Sequence, residues 1–137
     1  MNPATNSLRT QIVKNRPPRS VGVEPLECAG VYKVPCSGCD SSYYGETGRA
    51  VDIRIHEHQN AVRKKDTKNA CYKHSATTKH VINWEGSKLL FQSDDWYNRL
   101  VFESSCIATL PNFNLMRSTL AIDKFSANII LSTNKNI

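Results

Sequence analysis

The feature that most narrows the folds open to this chain is a cysteine pair, Cys36 and Cys39, between two segments rich in tyrosine, GVYKV and SSYYG. Both segments read as short strands, Ala29–Val34 and Ser41–Gly45, joined by a turn that holds Ser37, Gly38 and Asp40. A hairpin with the C-x-x-C at its tip is the simplest arrangement. Two thiolates so spaced can face one ion, and zinc prefers thiolate and imidazole in a set of four.

The other two ligands are sought in CYKHSATTKH, which places His74 six residues before His80. That pair lies much farther from the cysteines than in a finger, so the intervening helix must fold back over the hairpin. Zinc at Cys36, Cys39, His74 and His80 is the favoured assignment, and its role would be structural because four protein ligands leave no open position. Cys71, three residues before His74, competes with His80 for the fourth place. A redox pair at Cys36 and Cys39 lacks the βαβ context of thioredoxin-like motifs. Surface histidines without a ligand role are the plainest alternative.

Composition agrees with a small, metal-supported core. The chain has 137 residues, 39 % hydrophobic, so its apolar interior is thin, and domains of this size often lean on a metal or crosslink. Five cysteines do not complete a disulfide framework. With no signal-peptide-like apolar segment in the first thirty residues, they point to a reducing compartment, nuclear or cytosolic. A formal charge of +6 favours a polyanionic partner. No run of about 18 apolar residues offers a membrane span.

Residues 1–23 carry Arg9, Lys14, Arg16 and Arg19 and no acid, which reads as a basic, flexible linker or arm. From Ala50 to about Lys65, Val51, Ile55, His58 and Val62 recur at helical spacing. A second helix is expected over Ala70–Thr77 and a third strand over Ser87–Gln92. A further helix runs through Trp96, Leu100, Phe102 and Ile107, with Ser93, Asp94 or Asp95 as cap. The order β-β-α-α-β-α gives an α/β (α+β) fold over 24–120, a small three-stranded sheet flanked by helices, with 121–137 left as a tail. Trp84 and Trp96 are assigned to the core.

Gly30-Val31-Tyr32, Tyr43-Tyr44-Gly45, then Arg54, His58 and Glu103 resemble the series that marks the GIY–YIG nucleases. The stretches GVYKVPCSGC, YYGETGRAVDIRIHEH and KHSATTKHVINW are more similar still to the endonuclease domain of Penelope-like retroelements. That subgroup inserts a C-x-x-C between its two signatures and adds downstream histidines. The resemblance spans about Ala29 to Arg117. Val31 stands for the usual isoleucine, and Tyr44 for an aliphatic residue; strand alternation points Tyr44 away from Tyr43. Arg54 sits one residue later than in bacterial repair relatives.

What the resemblance implies is an antiparallel GIY–YIG-like sheet and a metal-dependent DNA endonuclease that nicks phosphodiester bonds. It would make the priming nick for retroelement insertion in the nucleus, fused to or acting with a reverse transcriptase. Tyr43 would be the general base with Tyr32 beside it, and Arg54 would hold phosphate oxygens. His58 would position nucleophile or phosphate, and Glu103 would bind one Mg²⁺ or Mn²⁺. Asn114, with Asn112 as rival, would brace the site. Neither a membrane nor a small-molecule substrate is expected. Arg63, Lys64, Lys65 and Lys68, with Lys73 nearby, form a basic stretch suited to the DNA backbone. Taken singly, Arg54 and His58 suit a solvated helix face, and Glu103 suits an ion pair with Arg99 four residues earlier. The alternative from another class is a zinc-dependent nucleic-acid-binding module without catalysis.

Overall fold

A computed structural model of the chain describes residues 25–116 and 120–134; the expected basic arm over 1–23 lies outside them. Strands β1 (Gly30–Pro35) and β2 (Ser42–Thr47) form the hairpin, and β3 (Lys88–Gln92) pairs with the other side of β1. The sheet is antiparallel, in the order β2-β1-β3. Helices α1 (Val51–Arg63) and α2 (Ala70–Thr78) follow the hairpin, and α3 (Trp96–Thr109) and α4 (Lys124–Ser132) follow β3. The result is an α+β arrangement, as the order of elements led one to expect. Among the described residues no helix is long and apolar enough to cross a membrane.

Strand alternation divides the interior in two. Val31, Tyr44 and Leu90 meet Phe102, Cys106 and Leu131, so one face of the sheet is covered by α3 and α4. Tyr32 and Val34 meet Val51, Ile55 and Cys71 on the other face, under α1 and α2. A bulge between Val31 and Tyr32 inserts an extra β3 residue, pairing Val31 with Phe91 and Tyr32 with Leu89. Leu90 and Phe91 therefore both serve the first cluster, where Phe91 stacks on Phe102 at 4.7 Å. The apolar stripe foreseen on α1 is the buried one: Val51, Ile55 and His58 all point inward.

Two expectations change. Trp84 packs on the second cluster, but Trp96 is exposed, because it is the first residue of α3 and precedes that helix's buried positions at Arg99, Leu100 and Phe102. The supposed tail contains α4, begun by Asp123, whose side chain accepts from the Ser126 amide, and anchored through buried Ala127 and Leu131. Alternating polar residues hid this short amphipathic helix.

Strand β2 is an edge, and the chain after α3 closes it. Ser42 forms a parallel bridge with Asn112, and the Phe113 amide donates to the Ser42 carbonyl at 3.1 Å. One step on, the Asn114 side chain takes the place of a peptide group. Its Oδ1 accepts from the Tyr44 amide at 3.0 Å and its Nδ2 donates to the Tyr44 carbonyl at 2.7 Å. Asn112 works differently, donating to the Ile107 and Leu110 carbonyls at the end of α3. Losing a satisfied, partly buried pair costs about 1–3 kcal/mol. Asn114→Ala should lower the urea midpoint accordingly, and an unchanged midpoint would show that water replaces the brace at no cost.

Candidate functional site

The β2 edge is where both helical layers can be reached, and a cleft of about 250 Å³ opens there. Tyr43 on β2, Arg54 and His58 on α1, Glu103 on α3, and Asn114 line it, together with Lys68 and Asn69. Residues far apart in the chain thus converge. Tyr32 lies beneath, fully buried, opposite Gly45 in the hairpin register. A Cβ on Gly45 would come within 2.4 Å of the Tyr32 hydroxyl, so only glycine lets that ring cross β2 toward the cleft.

Three aromatic rings pack behind the opening. Tyr43 is 6.2 Å from Tyr32 and meets His58 edge-on at 4.9 Å between centroids. Both His58 nitrogens are engaged: Nε2 lies 2.8 Å from the Tyr32 hydroxyl and Nδ1 lies 3.0 Å from Asn69 Nδ2. With those contacts made, His58 lines the cleft with its ring while both of its nitrogens are taken. Burial and the nearby Arg54 push His58 down to about 4, so the ring is neutral near pH 7.

Burial pushes Tyr43 up to about 12, opposed chiefly by the nearby Arg54. Arg54 donates from Nη1 to Glu57 at 3.0 Å, and the same carboxylate takes both Arg49 Nη groups at 2.9 and 2.8 Å. Two guanidiniums sharing one carboxylate leave a net positive wall. Sequence reasoning did not find Glu57, Arg49 or Asn69. The i,i+3 spacing of Arg54 and Glu57 was the available signal for the first.

Glu103 does not pair with Arg99 as a plain helical ion pair would have it. Arg99 crosses to β2, where its Nε donates to Glu46 at 2.9 Å. Burial, with the Glu46 charge adding to it, pushes Glu103 up to about 7. The basic residues Arg63, Lys64, Lys65 and Lys68 are exposed, and of these Lys68 lines the cleft.

On the far side of α2, Cys36, Cys39, His74 and His80 come together with one potential ligand atom of each within 4.8 Å of the others. The cluster could hold a metal ion of the zinc type. His74 Nε2 is 3.3 Å from Cys36 Sγ and 3.6 Å from Cys39 Sγ. The Gly38 amide donates to Cys36 Sγ at 3.3 Å, and a Cβ at Gly38 would strike the His80 ring at 2.6 Å. His80 Nδ1 is buried with no hydrogen-bond partner, as a nitrogen reserved for a metal would be. α2 does fold back over the hairpin, and the left-handed cap at Lys79 (φ 65°) turns the chain so that His80 faces His74. Cys71 is buried among Val34, Val51 and Ile55 instead, its thiol pushed up to about 12. The cysteines are all free thiols.

Comparison with protein-family models, curated proteins and solved structures returns no match for this chain.

Glu103 carries a stability signature. Its folded value, about 7, lies above the ordinary 4.5, so protons bind the folded state more tightly. That contribution is complete below about 4.5 and is lost as the pH rises through about 7. Glu103→Gln should therefore melt above the wild type at pH 8 and close to it at pH 4, without added divalent metal. Equal melting temperatures at both pH values would show that ionising Glu103 carries no burden.

Proposed function

We propose that this chain is a GIY–YIG-type endonuclease domain that nicks DNA, with a structural zinc ion and a single catalytic Mg²⁺ or Mn²⁺. The observation that carries this reading is the convergence of Tyr43, Arg54, His58, Glu103 and Asn114 on one cleft, with Tyr32 directly behind. Their order along the chain is that of the nuclease signatures. In a parent protein the nick would free a 3′ hydroxyl for a reverse transcriptase.

The residues divide the chemistry among themselves. Arg54 offers a planar fork to two phosphate oxygens, and Glu57 holds that fork at the cleft wall. Tyr43, as phenolate, takes a proton from water; the water oxygen bonds to phosphorus as the P–O3′ bond breaks, and the departing 3′ oxygen takes a proton from solvent. Glu103 is a half-buried carboxylate whose ionisation is costly in the free protein, which suits a hard cation that keeps most of its waters. When bound, that cation would supply Lewis-acid polarisation of the phosphate. Lys68 and the exposed Arg63, Lys64 and Lys65 extend positive charge along the approach to the cleft.

The zinc half is separately testable. Purified protein should carry about one equivalent of zinc, and Cys36→Ser or chelation should lower the melting temperature clearly. Structural zinc in small modules supplies on the order of 10 kcal/mol of folding energy. Reduced protein free of zinc would remove this part of the reading.

Conversion of supercoiled plasmid to open circles tests the nuclease. Glu103→Ala should reduce it to background while zinc content and DNA binding persist. Tyr43→Phe should cost roughly 10²–10⁴-fold, and Arg54→Lys should be strongly impaired because the fork is lost. The pH profile has a definite sign. Tyr43 at about 12 must lose a proton, so the rate climbs about tenfold per unit between pH 7 and 9. At limiting metal it climbs more steeply below about 7, where Glu103 must ionise as well. DNA binding without metal-dependent nicking on any form of DNA would favour the non-catalytic zinc module.

A further inference from the structure

We propose that Asn69 is a positioning residue that fixes the tautomer of His58 and thereby the direction of a hydrogen-bond relay ending at Tyr43. For its functional half this rests on the nuclease reading of Tyr43; for its structural half it does not. The argument begins at the first turn of α2. Asn69 is the N-cap of that helix, and its Oδ1 accepts from the backbone amides of Cys71 at 2.9 Å and Tyr72 at 3.2 Å. Backbone N–H groups only donate, so the orientation of the Asn69 amide is decided. Its Nδ2 must be the atom facing His58, 3.0 Å from Nδ1.

An amide nitrogen also only donates, so His58 Nδ1 is the bare, accepting nitrogen. In a neutral imidazole the proton then sits on Nε2. Neutrality agrees with the burial and the nearby Arg54 that oppose a charge on this ring. His58 Nε2–H therefore donates to the Tyr32 oxygen, 2.8 Å away.

Tyr32 is now an acceptor toward His58, and its own hydroxyl proton needs another destination. The side chain is fully buried, so a proton without a partner would be costly. The neighbouring hydroxyl-bearing ring is Tyr43, 6.2 Å from Tyr32 between centroids, and the relay assigns the Tyr32 proton to its oxygen. The relay runs one way, from Asn69 through His58 and Tyr32 to Tyr43. Tyr43 thus accepts from behind and keeps its own proton for exchange with the cleft. No bond other than hydrogen bonds changes in setting this direction.

The test reads the histidine directly. In ¹⁵N-labelled wild type at pH 8, two-bond ¹H–¹⁵N correlation should show His58 with Nε2 protonated and Nδ1 bare. Asn69→Asp keeps a good N-cap but replaces the donor with an acceptor, so Nδ1 should gain a proton. With Nε2 then left bare, the Tyr32 proton turns back to His58. Nicking at pH 8 should fall by roughly 10²-fold, within the span of a misplaced acid–base group, while the melting temperature changes little. A protonated Nδ1 in the wild type, or a bare Nδ1 in Asn69→Asp, would overturn the assignment. Wild type that shows the stated tautomer yet nicks no DNA would remove the nuclease reading and leave the relay standing.

Discussion

The passage of the Tyr32 ring over Gly45 is the constraint on which the rest of the cleft depends. Tyr32 is buried on the central strand, and its hydroxyl reaches His58, a residue that lines the cleft at the neighbouring edge strand. Any side chain at Gly45 would occupy the hydroxyl's position. With glycine there, Tyr32 comes within hydrogen-bonding range of His58, and His58 in turn reaches Asn69. The second glycine–tyrosine signature is thus explained by what passes over it. Its two conspicuous residues divide the labour, Tyr43 facing the cleft and Gly45 giving way to the partner strand.

A second constraint is that the helical layer over this face must be held at the right height. The apolar contacts beneath it include Val51, Ile55 and Val62 from α1, Cys71 from α2, and Ile82 and Trp84 beyond. The Cys/His cluster joins the hairpin tip to α2 and to the turn after it, and the Ser37 amide donating to the Val81 carbonyl at 2.9 Å ties the same two segments. Since α2 is capped by Asn69 and contains His74, one short helix carries the cluster at one part and the His58 contact at another. A structural metal here would support the geometry of the cleft without touching it.

Much of the architecture was legible because it is periodic. The stripe on α1, the acidic cap of α3 and the two tyrosine strands each follow a local rule, and the structure keeps them. The four Cys/His positions were legible from ligand chemistry, and burial decides between His80 and Cys71. What escaped the sequence was nonlocal or brief. Trp96 resembles a core residue until its place on the first turn of α3 is known. α4 is only nine residues long, and its value lies in packing on α3. Arg99 is four residues from Glu103, but its partner is on β2, a choice made by tertiary proximity. Asn69 reads simply as a cap, and nothing local reveals that its amide nitrogen meets a histidine from another helix. Asn112 and Asn114 could not be ranked until the side chain of Asn114 was seen to pair with Tyr44 on the β2 edge and that of Asn112 with the end of α3.

The electrostatics of the cleft follow from this packing and carry their own logic. Tyr43 and Glu103 are both held toward their neutral forms by desolvation, the one at about 12 and the other at about 7. Each would become anionic only where positive charge is supplied. For Tyr43 that charge is built in, because Arg54 stands beside it. Glu103 has no comparable relief. Glu46 is nearby with the same sign, and Arg99 is committed to Glu46 and the Ser93 carbonyl, leaving only the Glu46 amide to favour the Glu103 carboxylate. A carboxylate placed at a cleft, raised by burial and by a like charge, with its nearest arginine turned away, is poorly explained as a structural ion pair. On the proposed nuclease reading, a divalent cation would fill the deficit of positive charge at Glu103, whereas Glu57 and Glu46 already hold arginines.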